Sequence, residues 1–360
     1  MSKDFDQARA RVGKALDQAL ERAREQEARE GVYKFDLSRD RFIIFSDHHK
    51  GGRNGADDFL VCERAYNAAL AYYYRQGHTL VVLGDVEELW EERRQTVLKQ
   101  YPHTFQLEGR FHQEGRYLRF FGNHDDDWSH EDLVRRYLVP ALGGKPLKVR
   151  EHLLVRVVDG DTELGSLFLV HGHQGTVASD RIAPISKFFV RYFWRPLQRV
   201  VKYSLNTPAK DWQLRQAHDS AMYFWSEQQD KIVLIAGHTH RPVFKSKSHE
   251  RQIRESLEKA EQALAQSPAD QKLREQTALL AAELEWILAQ NRQEPGQQPP
   301  IELKKPSYFN TGCCAFLDGD ITGLEIAEGE IRLIRWPNDE KEPQPKILVS
   351  TSLKAVFEVC

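Results

Sequence analysis

Residues 79–88 join an apolar run to a cluster of acids, and they read Thr79-Leu80-Val81-Val82-Leu83-Gly84-Asp85-Val86-Glu87-Glu88. A short run rich in Val and Leu that ends at a glycine predicts a buried strand. The acids that follow then lie beyond the carboxyl end of the strand, where α/β sheets bind their ligands. This one stretch therefore predicts both the class of fold and the edge of the sheet that carries a functional site.

The same order, an apolar or aromatic run and then a polar cluster, occurs at four other places. It predicts strands at residues 41–45, 117–121, 166–170 and 231–236. The clusters that follow them are Ser46-Asp47-His48-His49, Gly122-Asn123-His124-Asp125, His171-Gly172-His173 and Gly237-His238-Thr239-His240. Helices predicted at 57–77 and 87–101 separate the first three strands, and this alternation is typical of an α/β fold.

Composition narrows the class of protein. The chain has 360 residues, of which 41% are hydrophobic, and a net charge of −2. Near-neutral charge gives no clear indication of nucleic-acid binding. The four cysteines have no C-x-x-C spacing, so we expect free thiols in a reducing compartment. The charged N-terminus does not resemble a signal peptide, and no run approaches ~18 apolar residues. We therefore expect a cytoplasmic protein, with peripheral membrane contact as the alternative.

The polar clusters contain the donor groups of a metal site. Mixed Asp, Asn and His ligands suit Mn, Fe or Zn better than Mg or Ca. Asp85 has two carboxylate oxygens and can bridge two ions. Two ions lower the pKa of a bridging water, and the resulting hydroxide would attack the phosphorus of a phosphoester substrate. In Asp47 and His49, and in His238 and His240, we expect extended backbone to aim side chains two residues apart in one direction.

These residues carry a resemblance to the calcineurin-like metallophosphoesterase superfamily. Its members show D-x-H, G-D-x-x-[DE], G-N-H-[DE], a lone His and G-H-x-H in this order, and Asn310-Thr311-Gly312 resembles their closing N-T-G. The resemblance implies a four-layer αββα sandwich with two mixed β-sheets and helical insertions. It implies one metal held by Asp47, His49, Asp85 and His240, and a second held by Asp85, Asn123, His171 and His238. It also implies that His124 is the catalytic histidine and that Glu88 orients it.

Other residues near the motifs have two readings. Arg53 and His173 are candidate substrate contacts, although Arg53 also reads as an ordinary surface residue and His173 as a group that orients a ligand. Asp125 and the two acids after it read as a helix start or a solvated acidic loop. Histidines outside the motifs, His218 among them, read as ordinary surface or core residues.

The first insertion, residues 174–230, is basic and aromatic. It predicts a helical lid whose Arg191 and Arg195 would bind an anionic amphiphile or an anionic membrane, and the alternative is a lid that packs its aromatic residues on the core. The insertion is similar to that of UDP-2,3-diacylglucosamine pyrophosphohydrolases. Those enzymes typically have Arg where this chain has His124, a difference that favours a more generic phosphodiesterase or phosphomonoesterase. A membrane-surface lipid pyrophosphohydrolase of the UDP-diacylglucosamine type is the alternative. A non-catalytic scaffold of the same fold is the lesser alternative.

The predicted domain plan has a metallophosphoesterase core at residues 36–246 and 301–340. An amphipathic helix at residues 1–35 lies outside this core. The second insertion, residues 247–300, is predicted to be a helical hairpin. Its charged surface reads either as a solvated face or as the contact of a homo-oligomer.

Overall fold

The computed structural model describes residues 3–175, 212–268, 270–290 and 305–360. The first strands along the chain are β1 (Tyr33–Asp36), β2 (Phe42–Phe45), β3 (Thr79–Leu83), β4 (Tyr117–Phe120), β5 (Val149–Arg150), β6 (His152–Asp159) and β7 (Thr162–Val170). The later ones are β8 (Ile232–Ala236), β9 (Pro242–Phe244), β10 (Lys247–Ser248), β11 (Tyr308–Thr311), β12 (Ile321–Ala327), β13 (Glu330–Trp336) and β14 (Lys346–Ser352).

These strands form two mixed sheets. Sheet A has the order β1-β6-β7-β8-β11-β9-β10, and sheet B has the order β14-β13-β12-β2-β3-β4-β5. In sheet B, β2, β3, β4 and β5 are parallel, while β12 runs antiparallel to β2. In sheet A, β7, β8 and β11 are parallel and β6 is antiparallel to β7. The carboxyl ends of adjacent parallel strands therefore meet at one edge of each sheet.

The described helices are α1 (Lys3–Glu30), α2 (Glu63–Arg75), α3 (Arg94–Gln100), α4 (Pro102–Gln113), α5 (Trp212–Glu227), α6 (His249–Gln266), α7 (Gln271–Gln290) and α8 (Leu353–Val359). Among them, α2 and α4 pack on the outer face of sheet B, and α1 and α5 pack on the outer face of sheet A. A short 3-10 helix at Asp58–Val61 precedes α2, and another at Asp126–Ser129 follows β4. An irregular helical segment is made up of Glu131–Leu133, Val134–Leu138 and Val139–Ala141. None of the described helices is long and apolar enough to cross a membrane.

Strand β2 shows why the layers stack. Alternate residues of a strand point to opposite faces of its sheet. Ile43 and Phe45 face a core shared with α2 and α4, and Phe42 and Ile44 face a second core between the two sheets. A third core joins the outer face of sheet A to α1 and α5. The predicted four-layer α/β architecture with two mixed sheets is confirmed.

Two boundaries differ from the predicted plan. Helix α1 buries Val12, Leu16 and Leu20 against sheet A, so it forms part of an outer layer. Strand β14 extends sheet B beside β13, and α8 packs on the core between the sheets, so the core continues beyond residue 340. In the second insertion, α6 and α7 are joined by a short turn and pack on each other.

The helix predicted at residues 87–101 is wrong in its first half. Residues 87–93 form a turn with a bridge between Lys50 and Glu87, and α3 begins only at Arg94. The apolar spacing of this stretch suits a helix, but its acids are used elsewhere. Glu87 contacts the buried guanidinium of Arg119, which holds the segment against the end of β4.

A buried ionic network lies directly behind the polar edge of sheet B. The Arg119 side chain contacts Glu87, Glu108 and Asp125, and Lys50 contacts Glu108. All five side chains are fully buried or nearly so. A charge in such a place is stable only when it is paired and hydrogen-bonded.

We expect Arg119→Met to destabilise the fold by about 3–5 kcal/mol, because it leaves buried acids without their partner. Arg119→Lys keeps a charge and should lose less. The measurement is urea unfolding of each variant. The control is Arg22→Met, which breaks the part-exposed pair with Glu151 and should cost at most about 1 kcal/mol. Equal losses for Arg119→Met and Arg22→Met would contradict the structural role of the network.

Candidate metal centre

The five motifs converge on one edge of the sandwich. Those of sheet B follow the neighbouring parallel strands β2, β3 and β4, and those of sheet A follow the neighbouring parallel strands β7 and β8. The structure brings together most of the side chains predicted as metal ligands, with His124 beside them: Asp47, His49, Asp85, His124, His171, His238 and His240.

These side chains form three groups in which the donor atoms lie within 4.8 Å of one another. The groups are Asp47 with His49 and His240, then His49 with Asp85 and His124, and then Asp85 with His171 and His238. The first and third groups correspond to the two predicted ligand sets. The second group adds His124, which the sequence analysis placed in catalysis instead.

Several donor atoms face each other at contact distance. The Nε2 atom of His171 lies 3.1 Å from Oδ2 of Asp85, and Nε2 of His240 lies 3.2 Å from Oδ1 of Asp47. The Nε2 atoms of His49 and His240 are 3.1 Å apart. Nitrogens and carboxylate oxygens that crowd in this way have the arrangement of ligands around a cation.

Three of the predicted ligand atoms are buried and, in the described part of the chain, make no well-aligned hydrogen bond, although two of them lie within ion-pair distance of another side chain of the site. They are Oδ1 of Asp47, Oδ1 of Asn123 and Nε2 of His171. Buried polar atoms of native proteins nearly always have a partner, so each of these requires an explanation. A metal cation would provide that partner, and the mixed nitrogen and oxygen donors suit Mn, Fe or Zn. The residues present therefore fit a metal site.

The backbone reaches this geometry differently from what we expected. Five of the candidate ligands have left-handed backbone, with φ of 53° at Asp47, 51° at His49, 50° at Asp85, 70° at His238 and 57° at His240. The expectation that extended backbone aims residues two apart in one direction is therefore wrong. Non-glycine residues in this region are strained, and such strain is concentrated at functional sites.

Glycines allow the motif loops to approach closely. A Cβ on Gly122 would lie 2.2 Å from Oδ1 of Asp85 and 2.6 Å from Cδ2 of His171. Gly84 has φ of +88°, and a Cβ there would lie 2.7 Å from Nδ1 of His171. Glycine fits at such positions because the backbone of one loop packs directly against a side chain of another loop.

A single acid, Glu88, contacts two of the histidines. Its Oε2 lies 2.7 Å from Nδ1 of His124 and 3.0 Å from Nδ1 of His49. The Trp90 ring stacks on His124 with centroids 4.5 Å apart, and its Nε1 donates to the Asn123 carbonyl at 2.5 Å. These contacts hold both Nδ1 atoms and leave the Nε2 atoms directed into the site.

Burial and charge move the pKa values of the site in opposite directions. Burial lowers the pKa of His49, but the Glu88 hydrogen bond and the charges of nearby acids outweigh it and raise that pKa to about 10. His171 behaves in the same way beside Asp85, and its pKa rises to about 9. Burial raises the pKa of Glu88, yet His124 and His49 bring it down to about 2. In a metal-free site the protonated imidazoles would balance the acids, a task that a bound cation can take over.

The structure describes two of the four residues that were predicted to bind substrate. Arg53 pairs with Glu63, donates to the Gln100 carbonyl at 2.7 Å and stacks over Tyr101, so its guanidinium is already engaged. His173 lies beside His171, with ring centroids 5.4 Å apart. Arg191 and Arg195 lie outside the described residues. These substrate contacts, and the membrane contact of the first insertion, stay predictions.

Asp125 directly precedes the 3-10 helix Asp126–Ser129, so its reading as a helix start is confirmed, whereas its reading as a solvated acid is wrong. Its carboxylate is fully buried and accepts the backbone N–H groups of Asp85, Val86 and Gly122 at 3.1, 3.0 and 2.6 Å. Arg119 interrupts the otherwise apolar strand β4 and pairs with Asp125. A lone Arg in a buried strand was the signal in the sequence that a buried acid had to lie nearby.

Three residues that contact the site lie outside the five sequence motifs. Trp90 stacks on the candidate catalytic histidine, while His218 and Asp219 of α5 contact the loops that follow β7 and β8. The sequence carries no signal for the last two, because only the folded chain brings α5 to these loops.

Comparisons with known proteins add little to this geometry. No protein-family model and no curated protein matches the chain. Among solved structures, it is similar to a conserved uncharacterized protein from Streptococcus pneumoniae TIGR4 that is described as a predicted phosphoesterase. The TM-score is 0.30 and the sequence identity 9%, with 86% of this chain and 97% of that chain covered. A likeness at this TM-score supports no conclusion about activity.

We expect Gly122→Ala to weaken metal binding by about 10- to 100-fold, because its Cβ would displace the Asp85 carboxylate or the His171 ring. The measurement is titration of the metal-stripped protein with Mn²⁺. The control is Gly55→Ala, since a Cβ at Gly55 would meet no atom within 4 Å. Unchanged affinity in Gly122→Ala would contradict the close packing of these loops around the ligands.

Proposed function

We propose that this chain is a metal-dependent phosphoesterase of the calcineurin-like type, with two ions held around Asp85. The observation that carries the proposal is the convergence of Asp and His donor atoms from all five motifs, with buried ligand atoms that make no well-aligned hydrogen bond. Manganese is the expected metal, with iron and zinc as alternatives. The substrate is a phosphodiester or a phosphomonoester.

The chain's own residues divide into those that hold metal and those that act on the substrate. Asp47, His49, Asp85 and His240 would hold one ion, and Asp85, Asn123, His171 and His238 the other. Ions bound by these residues would neutralise phosphoryl oxygens and lower the pKa of a bound water. Asp85 belongs to both sets, and its Oδ1 accepts the backbone N–H of His124 at 2.8 Å. The shared acid therefore also fixes the backbone of the candidate catalytic residue.

His124 is suited to protonate the leaving oxygen. Its side chain is 23% exposed, and Glu88 holds its Nδ1, so that Nε2 remains for the substrate. Burial lowers the pKa of His124, but the charges of Glu88 and Asp85 outweigh it and raise the pKa above the ordinary value. A raised pKa favours the protonated imidazole, which is the form that general acid catalysis requires.

Asp85→Asn should reduce the hydrolysis of bis(p-nitrophenyl) phosphate by about 10²–10³-fold or more, because the charge shared by the two ions is lost. Metal analysis of the purified variant should show fewer than the wild-type equivalents. The control is Asp161→Asn, which changes an exposed acid in the turn between β6 and β7. Full activity and full metal content in Asp85→Asn would overturn the proposed mechanism.

His124→Gln should lower kcat by about 10²–10⁴-fold while leaving the metal content unchanged. The loss should be smaller for a p-nitrophenyl ester than for an alkyl ester, because p-nitrophenolate leaves without a proton. Steady-state kinetics on the two esters measures this difference. Loss of one metal equivalent instead would assign His124 to the ligands, in agreement with its place in the second donor group.

A further inference from the structure

Two neighbouring residues of α5, outside every sequence motif, contact the ligand loops of sheet A. The Nε2 atom of His218 lies 2.6 Å from the carbonyl oxygen of Gly172, which directly follows the ligand His171. Because a carbonyl oxygen only accepts, His218 donates this bond. Its ring also packs edge-on against His238, with centroids 5.3 Å apart. The His218 side chain therefore touches two loops of sheet A. These loops carry His171 and His238, which are proposed ligands of the same ion.

Asp219 contacts the turn that carries His238 and His240. Its Oδ1 accepts the Thr239 hydroxyl and the Tyr308 hydroxyl, each at 2.9 Å. Thr239 lies between the ligands His238 and His240, and both Thr239 and Tyr308 are almost fully buried. The carboxylate of Asp219 therefore holds the turn that supplies one histidine to each of the two ions.

Strand β11 supports this turn from a third direction. Asn310 donates from Nδ2 to the Gly237 carbonyl at 2.6 Å and to the Thr239 hydroxyl at 3.2 Å. His238 and His240 both have left-handed backbone. Strained backbone of this kind persists only where the surroundings fix it from several sides. The bonds from Asp219 and Asn310 are such a fixation.

We propose that His218 and Asp219 are positioning residues of the metal centre, through which α5 fixes the loops that carry His171, His238 and His240. The inference rests on the proposed function, and it names residues that none of the five motifs contains. The two residues act differently. Asp219 holds a turn with ligands for both ions, whereas His218 touches only the loops of His171 and His238, which belong to one ion.

The test is calorimetric titration of the metal-stripped full-length protein with Mn²⁺. Asp219→Ala and Thr239→Val should weaken both binding steps by about 10- to 100-fold, the usual effect of removing a group that orients a ligand. His218→Phe, which keeps an aromatic ring, should weaken one step only. Thr239→Ser restores the hydroxyl and should return both steps to wild-type affinity.

A matched control removes a different side-chain contact of α5. Asp17→Ala removes the acceptor of the Trp225 Nε1 bond, 2.7 Å long, which joins α5 to α1. This variant should bind Mn²⁺ as the wild type does. The double variant Asp219→Ala/Thr239→Val should be weakened by less than the product of the two single effects, because both substitutions remove the shared Thr239–Asp219 hydrogen bond.

Thermal unfolding in the presence of a chelator separates positioning from a general loss of stability. A structural role alone would lower the Tm of the stripped protein and leave its Mn²⁺ affinity unchanged below that temperature. That result, or equal affinities for wild type and Asp219→Ala, would overturn the inference while the proposed function stands. A wild type that binds no Mn²⁺ would contradict both. The wild-type titration therefore distinguishes the two failures.

Discussion

The Asp125 carboxylate holds the ends of β3 and β4 together. It accepts backbone N–H groups from Asp85, Val86 and Gly122 and pairs with the buried Arg119. Burial raises the pKa of Asp125 to about 6 against the opposing charge of Arg119. Because one acid binds the backbone of two motif loops, these loops are fixed relative to each other before any metal binds. Arg119 in turn depends on the deeper acids of the network, so the site is supported by ion pairs that water does not reach.

On this support the chain carries considerable backbone strain. Five of the seven candidate ligands have left-handed backbone, and glycines between them let the loops touch. Each strained residue costs roughly 1–3 kcal/mol, which only a rigid surrounding can offset. On the side of sheet B the support comes from Asp125, and on the side of sheet A from α5 and Asn310. A metal ion would then add to the stability of the arrangement, because it binds the folded state alone.

The sequence predicted what depends on local pattern. Runs such as 79–83 and 232–236 are apolar because they are buried on both faces, so both the strands and the loops beyond them could be read directly. Long-range contacts could not be read in this way. The turn at residues 87–93 replaces a predicted helix because Glu87 pairs with Arg119, and Asp125 is buried because that same Arg lies in β4. His218 and Asp219 reach the site only because α5 packs against sheet A, a contact that no spacing in the sequence records.

In the proposed metal centre two cations share the carboxylate of Asp85, and diffraction can locate them directly. Crystals soaked in Mn²⁺ and measured at a wavelength where manganese scatters anomalously should show two peaks per chain, about 3.5–4 Å apart. We expect one peak beside Asp47, His49 and His240, and the other beside Asn123, His171 and His238, with Asp85 contacting both. An absence of peaks at this edge of the sandwich, or a single peak that Asp85 does not touch, would contradict the account.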